Sequence, residues 1–170
     1  MHIIKHTKRT IGSNRSGTAA TEFALVMLPF IIMFVGIFDL GAYISQTIVL
    51  QNAVASSARM IETGQISSGN KAAFLANIQA NTYGLVDTTA ISVNVSAYNS
   101  FSAAPSPLPP LFNNVNLPIN QNFNTGTANQ AVVVMVGCIH TFFTPLVGNL
   151  LSATGASIFT SVKVFRNENF

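Results

Sequence analysis

The most continuous apolar stretch of the chain is FALVMLPFIIMFVGIF, residues 23–38, which holds sixteen residues without a charge. After Asp39 the pattern changes, and apolar residues recur at three- and four-residue intervals as far as residue 61. Such spacing is typical of an amphipathic helix, and Gly64 is a suitable stop signal. We therefore predict one long helix over residues 18–64 that is apolar on all sides in its first half and two-faced in its second.

The two faces of the second half can be assigned from the helical period. The apolar stripe is predicted to contain Ile44, Ile48, Gln51, Ala55 and Ala58, with Leu50, Val54 and Ile61 beside it. The polar side is predicted to consist of Gln46, Asn52, Ser56, Ser57 and Arg59.

Residues 65–170 show shorter patterns that indicate a separate small domain. Residues 67–84 read as a short helix, and residues 146–151 as a helical turn or short helix. Residues 90–98 alternate as a half-buried strand does, residues 131–143 resemble a buried strand, and residues 157–166 a final strand. Residues 99–130 hold five of the seven prolines and are predicted to be a long loop, partly ordered at best. The fold class predicted is α+β, with a small antiparallel sheet and a helix behind it.

The charges support a membrane segment. Only 8% of the residues are charged, and four of the eight basic residues lie before Gly17. About 20 apolar residues span a bilayer, so the predicted membrane part is residues 23–44, with Asp39 towards the far interface. Because basic residues favour the cytoplasmic side, the N-terminus is expected inside and residues 65–170 outside. No basic stripe suits a folded nucleic-acid-binding face, so no nucleic acid partner is expected.

One short motif lies between the basic tail and the apolar run. Gly17, Thr18, Glu22 and Phe23 give the pattern G-xxxx-E-F. A glutamate here complements the dipole of the helix N-terminus, and that role alone would explain Glu22. In a membrane setting, however, an unpaired carboxylate is costly and a partner is expected. If the chain were cut after Gly17, the new amine on Thr18 would lie one helical turn from Glu22.

This motif resembles the processing site of type IV prepilins, and the chain as a whole resembles the TadE-like family of tight-adherence (Tad, Flp) pilus systems. The resemblance is found in residues 16–30 with Pro29, in Asp39-Leu40-Gly41, in residues 52–64, and in the tail, at residues 144–151 and 164–168. It implies a pilin-like fold and a minor pilin or pseudopilin in the bacterial inner membrane, which could enter a pilus. It also implies cleavage by a prepilin peptidase between Gly17 and Thr18, which divides the chain into a leader (residues 1–17), a long helix (18–64) and an outer domain (65–170). The partners implied are that peptidase, other pilins or pseudopilins, the inner-membrane assembly platform and the lipid bilayer, with Glu22 and Phe23 at the assembly end of the helix.

Three alternatives to a pilin-type protein can be compared with the sequence. A cleaved secretory signal fits the basic start, but Asp39 occupies the expected cleavage region and no A-x-A follows. An uncleaved single-pass protein with an extracytoplasmic binding domain stays the alternative. An enzyme is not expected, since converging polar groups and known catalytic motifs are not apparent, and no cofactor is expected either. Cys138 and His140 share a strand face, but two ligands rarely hold zinc, so we interpret them as a buried thiol and a strand-end histidine.

Overall fold

Helix α1 runs from Arg15 to Glu62 in the computed structural model, which describes residues 15–87, 91–152 and 156–169. The helix contains Pro29 in its interior. It ends where Gly64 adopts the left-handed conformation with φ of 75°, and the N–H of Gly64 donates to the carbonyl of Ile61. A glycine at this position has no Cβ to oppose that conformation, so the predicted stop is confirmed.

The remaining elements follow the predicted order. They are α2 (Lys71–Thr82), β1 (Ser92–Tyr98), a short 3₁₀ helix (Phe101–Ala103), β2 (Ala131–Thr141), α3 (Pro145–Leu151) and β3 (Ala156–Arg166). The strands form one antiparallel sheet in the order β1-β2-β3. The predicted α+β fold class, a long helix followed by a small antiparallel sheet with short helices, is therefore confirmed.

The chain divides after Val35 into two compact units. In its described part the first unit is the beginning of α1, and nearly all of its apolar side chains are exposed. The second unit begins at Gly36 and contains the rest of α1 together with the sheet. Its main core joins one face of the sheet to α1 and α2, and its largest fully buried members are Leu50, Val54, Ile61, Phe74, Ile78, Val93, Val95, Val132, Val134 and Val136.

The face of α1 that packs on this core differs from the predicted stripe. Ile44 and Ile48 are 50% and 52% exposed, whereas Ser57 is fully buried. The hydroxyl of Ser57 donates to the side-chain carbonyl of Asn77 on α2 at 2.9 Å. This hydrogen bond replaces the one to water that Ser57 loses on burial. The stripe prediction was therefore wrong for Ile44, Ile48 and Gln51, which are exposed. The polar side was wrong for Ser57, because a polar residue with a partner can occupy a buried position.

The loop at residues 99–130 covers the second face of the sheet. Leu111 and Phe112 are buried and pack on Val133 and Met135, which point away from α1. The segment also hydrogen-bonds to β1, since the N–H of Val95 donates to the carbonyl of Asn122 at 2.8 Å. This loop has little regular structure, as predicted, but it is a packed layer of the domain.

Candidate functional site

The N-terminal motif lies wholly within α1. Gly17 and Thr18 are both helical, so the bond between them belongs to the first turn of a helix that begins three residues before the predicted start. The hydroxyl of Thr21 donates to the carbonyl of Thr18 at 2.8 Å. Any enzyme that cuts after Gly17 must therefore open this turn, and a glycine in it weakens the helix by about 0.5–1 kcal/mol relative to alanine.

The side chains of the motif are open to their surroundings. Thr18, Glu22 and Phe23 are exposed, and a Cβ atom placed on Gly17 would meet nothing within 4 Å. Within the described ranges of the chain, no cation lies within ion-pair distance of Glu22. The motif is thus accessible to another protein, and its carboxylate is available to a partner.

Asp39 has a different setting from the one that its sequence position suggested. Only 3% of its surface is exposed. Its Oδ2 atom accepts two hydrogen bonds from Thr144, one from the backbone N–H at 3.0 Å and one from the hydroxyl at 2.8 Å. Hydrogen-bond donors at the start of α3 therefore stabilise the carboxylate inside the protein. Thr144, which supplies them, was not identified from the sequence.

His140, near the end of β2, completes this buried group. Its Nε2 atom lies 3.7 Å from Oδ1 of Asp39, and its Nδ1 atom lies 2.7 Å from Oε1 of Gln46. Tyr43 packs beside the imidazole with 5.5 Å between ring centroids, and Phe142 meets the imidazole edge to face at 4.6 Å. We call Asp39, Gln46, His140 and Thr144 the polar cluster.

The polar cluster fixes β2 and the start of α3 to the beginning of the second half of α1. Its members come from α1, β2 and the residue before α3, and they are separated by up to 105 residues in the chain. The residues 39, 43 and 46 recur at helical spacing, which in retrospect is the signal that joins Asp39 to Gln46. The predicted family residue Gly41 lies outside the cluster, where a Cβ atom would meet nothing within 4 Å.

Cys138 lies two residues before His140 on the same strand face, but the two side chains have separate partners. The thiol is 1% exposed and donates to the backbone carbonyl of Asp87 at 3.6 Å. Burial raises the pKa of this thiol to about 11. Within the described ranges, no three His, Cys, Asp or Glu side chains are grouped closely enough to hold a metal ion.

A cavity of about 480 Å³ opens within the loop at residues 99–130. It is lined by apolar and amide side chains, namely Pro110, Phe112, Asn113, Asn114, Val115 and Ile119. Such a lining offers shape and a few hydrogen bonds to a ligand, and none of these six residues is ionisable.

The comparison with protein families covers the N-terminal motif and the apolar helix. Residues 17–59 match the TadE-like protein family. The match begins at Gly17 and includes Glu22, Pro29, Asp39 and Gly41, so the resemblance seen in the sequence is confirmed over this segment. The tail at residues 144–168 lies outside the matched segment, and its resemblance stays a prediction. No curated protein and no solved structure matches the chain.

The TadE-like segment also contains a helix that could cross a membrane. Residues 17–62 are long and apolar enough for a span, and little of the apolar window is buried within the protein. Exposure of this kind fits a lipid environment better than the core of a water-soluble domain. The segment is therefore consistent with a membrane location.

Proposed function

We propose that this chain is a minor pilin or pseudopilin of a Tad-type pilus or secretion system. The observation that carries the proposal is that the family match begins at Gly17 and continues through the apolar helix to Arg59. The TadE-like family points to a Tad pilus-associated protein. The finer role is supported by the order of the features, in which a basic tail, the G-xxxx-E-F motif and an apolar helix precede a small folded domain.

In this role a prepilin peptidase cuts between Gly17 and Thr18. The mature helix then starts with the positive amine of Thr18 and carries Glu22 one turn later. The exposed carboxylate pairs with the amine of a neighbouring subunit in the membrane, where each charge alone would be costly. The pair sets the register between adjacent subunits.

In this role the protein lies in the bacterial inner membrane, with its N-terminus in the cytoplasm and its folded domain outside. The basic tail before Gly17 supports this orientation. It acts as a substrate of the peptidase and a component of the assembly, not as an enzyme, and it needs no cofactor. Its partners are other pilins or pseudopilins and the assembly platform in the inner membrane.

The outer side of α1 suits packing against a neighbouring helix. Ile37, Leu40, Ile44 and Ile48 are at least two-fifths exposed and follow one another at helical spacing. Gly41 lies among them and has open space where its Cβ would be. Small residues let two helices approach closely in a membrane, so this face could receive the helix of a second subunit.

The first experiment is the N-terminal sequence of the protein isolated from the membranes of its own host. Thr18 as the first residue supports the proposal, and Met1 contradicts it. A start after residue 40 would instead indicate a secreted domain released by signal peptidase.

A matched pair of substitutions identifies the cleavage residue. Gly17→Val should block processing, because an isopropyl group at the residue before the cut prevents the close approach to the backbone that a glycine allows. Gly69→Val is the control, since Gly69 also has nothing within 4 Å of its Cβ position and lies outside the motif. Equal processing of both variants would exclude cleavage at Gly17.

A second pair tests assembly. Glu22→Ala should abolish or strongly reduce surface pili while membrane insertion is unchanged. Glu62→Ala, on the same helix but beyond the matched segment, should leave the pili intact. Normal pili in Glu22→Ala cells would show that the carboxylate has no role in assembly.

The alternative function is an uncleaved single-pass membrane protein with an extracytoplasmic binding domain. The cavity beside Phe112 and Val115 favours it, because an apolar recess with amide groups is a usual form of binding site. A mature N-terminus at Met1, with pili unaffected by loss of the protein, would support this function over the first.

A further inference from the structure

The segment between β2 and β3 carries two of the most exposed apolar side chains in the folded domain. Phe143 is 85% exposed and Leu150 is 82% exposed. We call residues 142–152 the connecting segment. The sequence has no charged residue from position 88 to position 162, so the connecting segment shares this lack of charge with the loop at residues 99–130 and is distinguished by its exposed Phe143 and Leu150.

The connecting segment contacts α1 at a defined position along the helix, residues 36–39. Thr144 donates two hydrogen bonds to Asp39. A Cβ atom on Gly36 would lie only 3.1 Å from Cγ2 of Val147, so the glycine lets α3 approach the helix closely. The segment therefore lies beside residues 36–39 of α1.

Those residues fall within the part of α1 that is proposed to cross the membrane. The predicted membrane part of α1 is residues 23–44, about 33 Å of helix against a hydrocarbon core of ~30 Å. Gly36 lies eight residues before Ile44, and at 1.5 Å per residue this is about 12 Å inside the outer end of the span. Whatever packs on Gly36 and Asp39 is thus at the depth of the outer leaflet.

We propose that the connecting segment inserts into the outer leaflet of the bilayer beside α1, with Phe143 and Leu150 in contact with lipid. The proposal rests on the membrane span of the proposed function. The folded domain then contacts the membrane through two elements, the helix α1 and the exposed side chains of Phe143 and Leu150, which we call the apolar foot. These two contacts fix the orientation of the domain above the bilayer.

Several backbone and side-chain polar groups beside residues 36–39 of α1 have partners within the protein. Unsatisfied polar groups are costly in lipid, and irregular backbone survives there only where protein covers it. The N–H of Gly148 donates to the carbonyl of Thr144, and the N–H of Ser152 donates to that of Gly148. Asp39 is buried by protein, since Thr144 donates to its Oδ2 atom and His140 lies 3.7 Å from its Oδ1 atom without a hydrogen bond, so the carboxylate is shielded from lipid.

A second copy of the chain is the other occupant that could cover this apolar foot. The position of the foot favours lipid, because the connecting segment packs on Gly36 and Asp39 of α1, which lie within the proposed membrane span. Interfacial contacts made by aromatic and leucine side chains are the usual form of shallow membrane insertion.

The test uses the full-length chain reconstituted in phosphatidylcholine vesicles, with an environment-sensitive dye on one introduced cysteine. Phe143→Cys and Leu150→Cys report on the foot. Ile31→Cys reports on the span, and Val115→Cys is the matched control, because Val115 is an exposed apolar residue of the loop at residues 99–130. The unsubstituted chain measures background labelling of the buried Cys138.

Quenching by spin-labelled lipid should be severalfold stronger at positions 143 and 150 than at position 115, and quenching by aqueous iodide severalfold weaker. If positions 143 and 150 are quenched by iodide as position 115 is, the foot lies in water and the proposal is overturned. If both quenchers fail at 143 and 150, protein covers the foot and the proposal is also overturned. Position 31 tests the span separately. If spin-labelled lipid quenches the dye at position 31, the results at positions 143 and 150 concern the foot alone. If it does not, the proposed membrane anchor and the foot are both wrong.

Discussion

The two halves of α1 both carry large apolar side chains, but these side chains have different surroundings. In the first compact unit, side chains such as Leu25 and Val26 are exposed on all sides of the helix. In the second unit, Leu50 and Val54 are completely buried against the sheet, while Ile44 and Ile48 remain half exposed. An apolar residue on this helix can therefore either face the surrounding medium or pack in the protein core. The hydrophobicity of a single residue does not distinguish these two environments.

What distinguishes the halves is their polar residues. In the second half, Asp39, Gln46 and Ser57 lie on the packed face, and each has a partner from another element. In the described part of the first unit, the polar groups of Thr18 and Glu22 are exposed. Buried polar side chains with partners therefore mark the half of the helix that belongs to the folded domain.

The largest expected effect on the free energy of unfolding distinguishes the exposed first half of α1 from the buried face of its second half. Leu50→Ala should lower the free energy of unfolding by about 3–4 kcal/mol, because it leaves a cavity in the main core. Ile31→Ala removes a similar side chain from an exposed position and should cost less than about 1 kcal/mol in the folding of the domain. Thermal unfolding of the full chain in detergent micelles measures both. Equal losses would mean that the first half also packs in a protein core.

The next effect concerns the polar cluster. Asp39→Ala should cost about 2–3 kcal/mol, because it leaves the donors of Thr144 buried without an acceptor. Asp39→Asn keeps one acceptor oxygen and should cost roughly half as much. The same unfolding measurement applies, and the Ser56→Ala substitution on the exposed side of α1 is the control. A neutral Asp39→Ala variant would show that the cluster does not hold α3 to the helix.

Much of this architecture could be predicted from the sequence. The apolar run of β2, the position of β1 and the glycine stop after α1 each depend on neighbouring residues, and all three were found in place. The half-buried character predicted for β1 was wrong, because the loop at residues 99–130 covers its second face and buries Ser92 and Asn94. The family segment at residues 17–59 was recognised because its motif and its apolar run are contiguous.

The polar cluster could not be predicted in the same way. Asp39 and Thr144 are 105 residues apart, and no local pattern links them. Gln46 and Ser57 were assigned to the outer side of the helix because they are polar, although a partner on another element allows each to be covered. The packing of Phe112 on the sheet was also missed, since a proline-rich segment carries no periodic signal.

A smaller effect tests the loop layer on the far side of the sheet from α1. A Cβ atom on Gly137 would lie 2.6 Å from Cε2 of Phe112 and 2.9 Å from Cδ1 of Leu111. Gly137→Ala should therefore displace the loop and cost about 1–2 kcal/mol, as overpacking does. Gly69→Ala is the control, and thermal unfolding with limited proteolysis of residues 99–130 gives the readout. Unchanged proteolysis and stability would mean that the loop does not pack on β2.

The smallest effect is confined to high pH. Burial raises the pKa of the Cys138 thiol from 9.0 to about 11, so the folded state keeps its proton longer than the unfolded state does. Stability is therefore unaffected by this group below pH 9 and is lost progressively between pH 9 and 11, where only the unfolded chain releases the proton. Comparing the pH dependence of unfolding in the native chain with that in Cys138→Ala isolates the contribution, since the other titrating groups are common to both.

The same pKa predicts the reactivity of the thiol. At pH 8 the thiolate fraction should be about 100-fold below that of an unperturbed cysteine, and alkylation by iodoacetamide should be slower by at least that factor in the folded chain than in urea. Parallel pH curves for the native chain and Cys138→Ala, together with rapid alkylation, would contradict the buried position of Cys138 on β2. That result would also weaken the comparison between the halves of α1, because Cys138 belongs to the core that buries Leu50 and Val54.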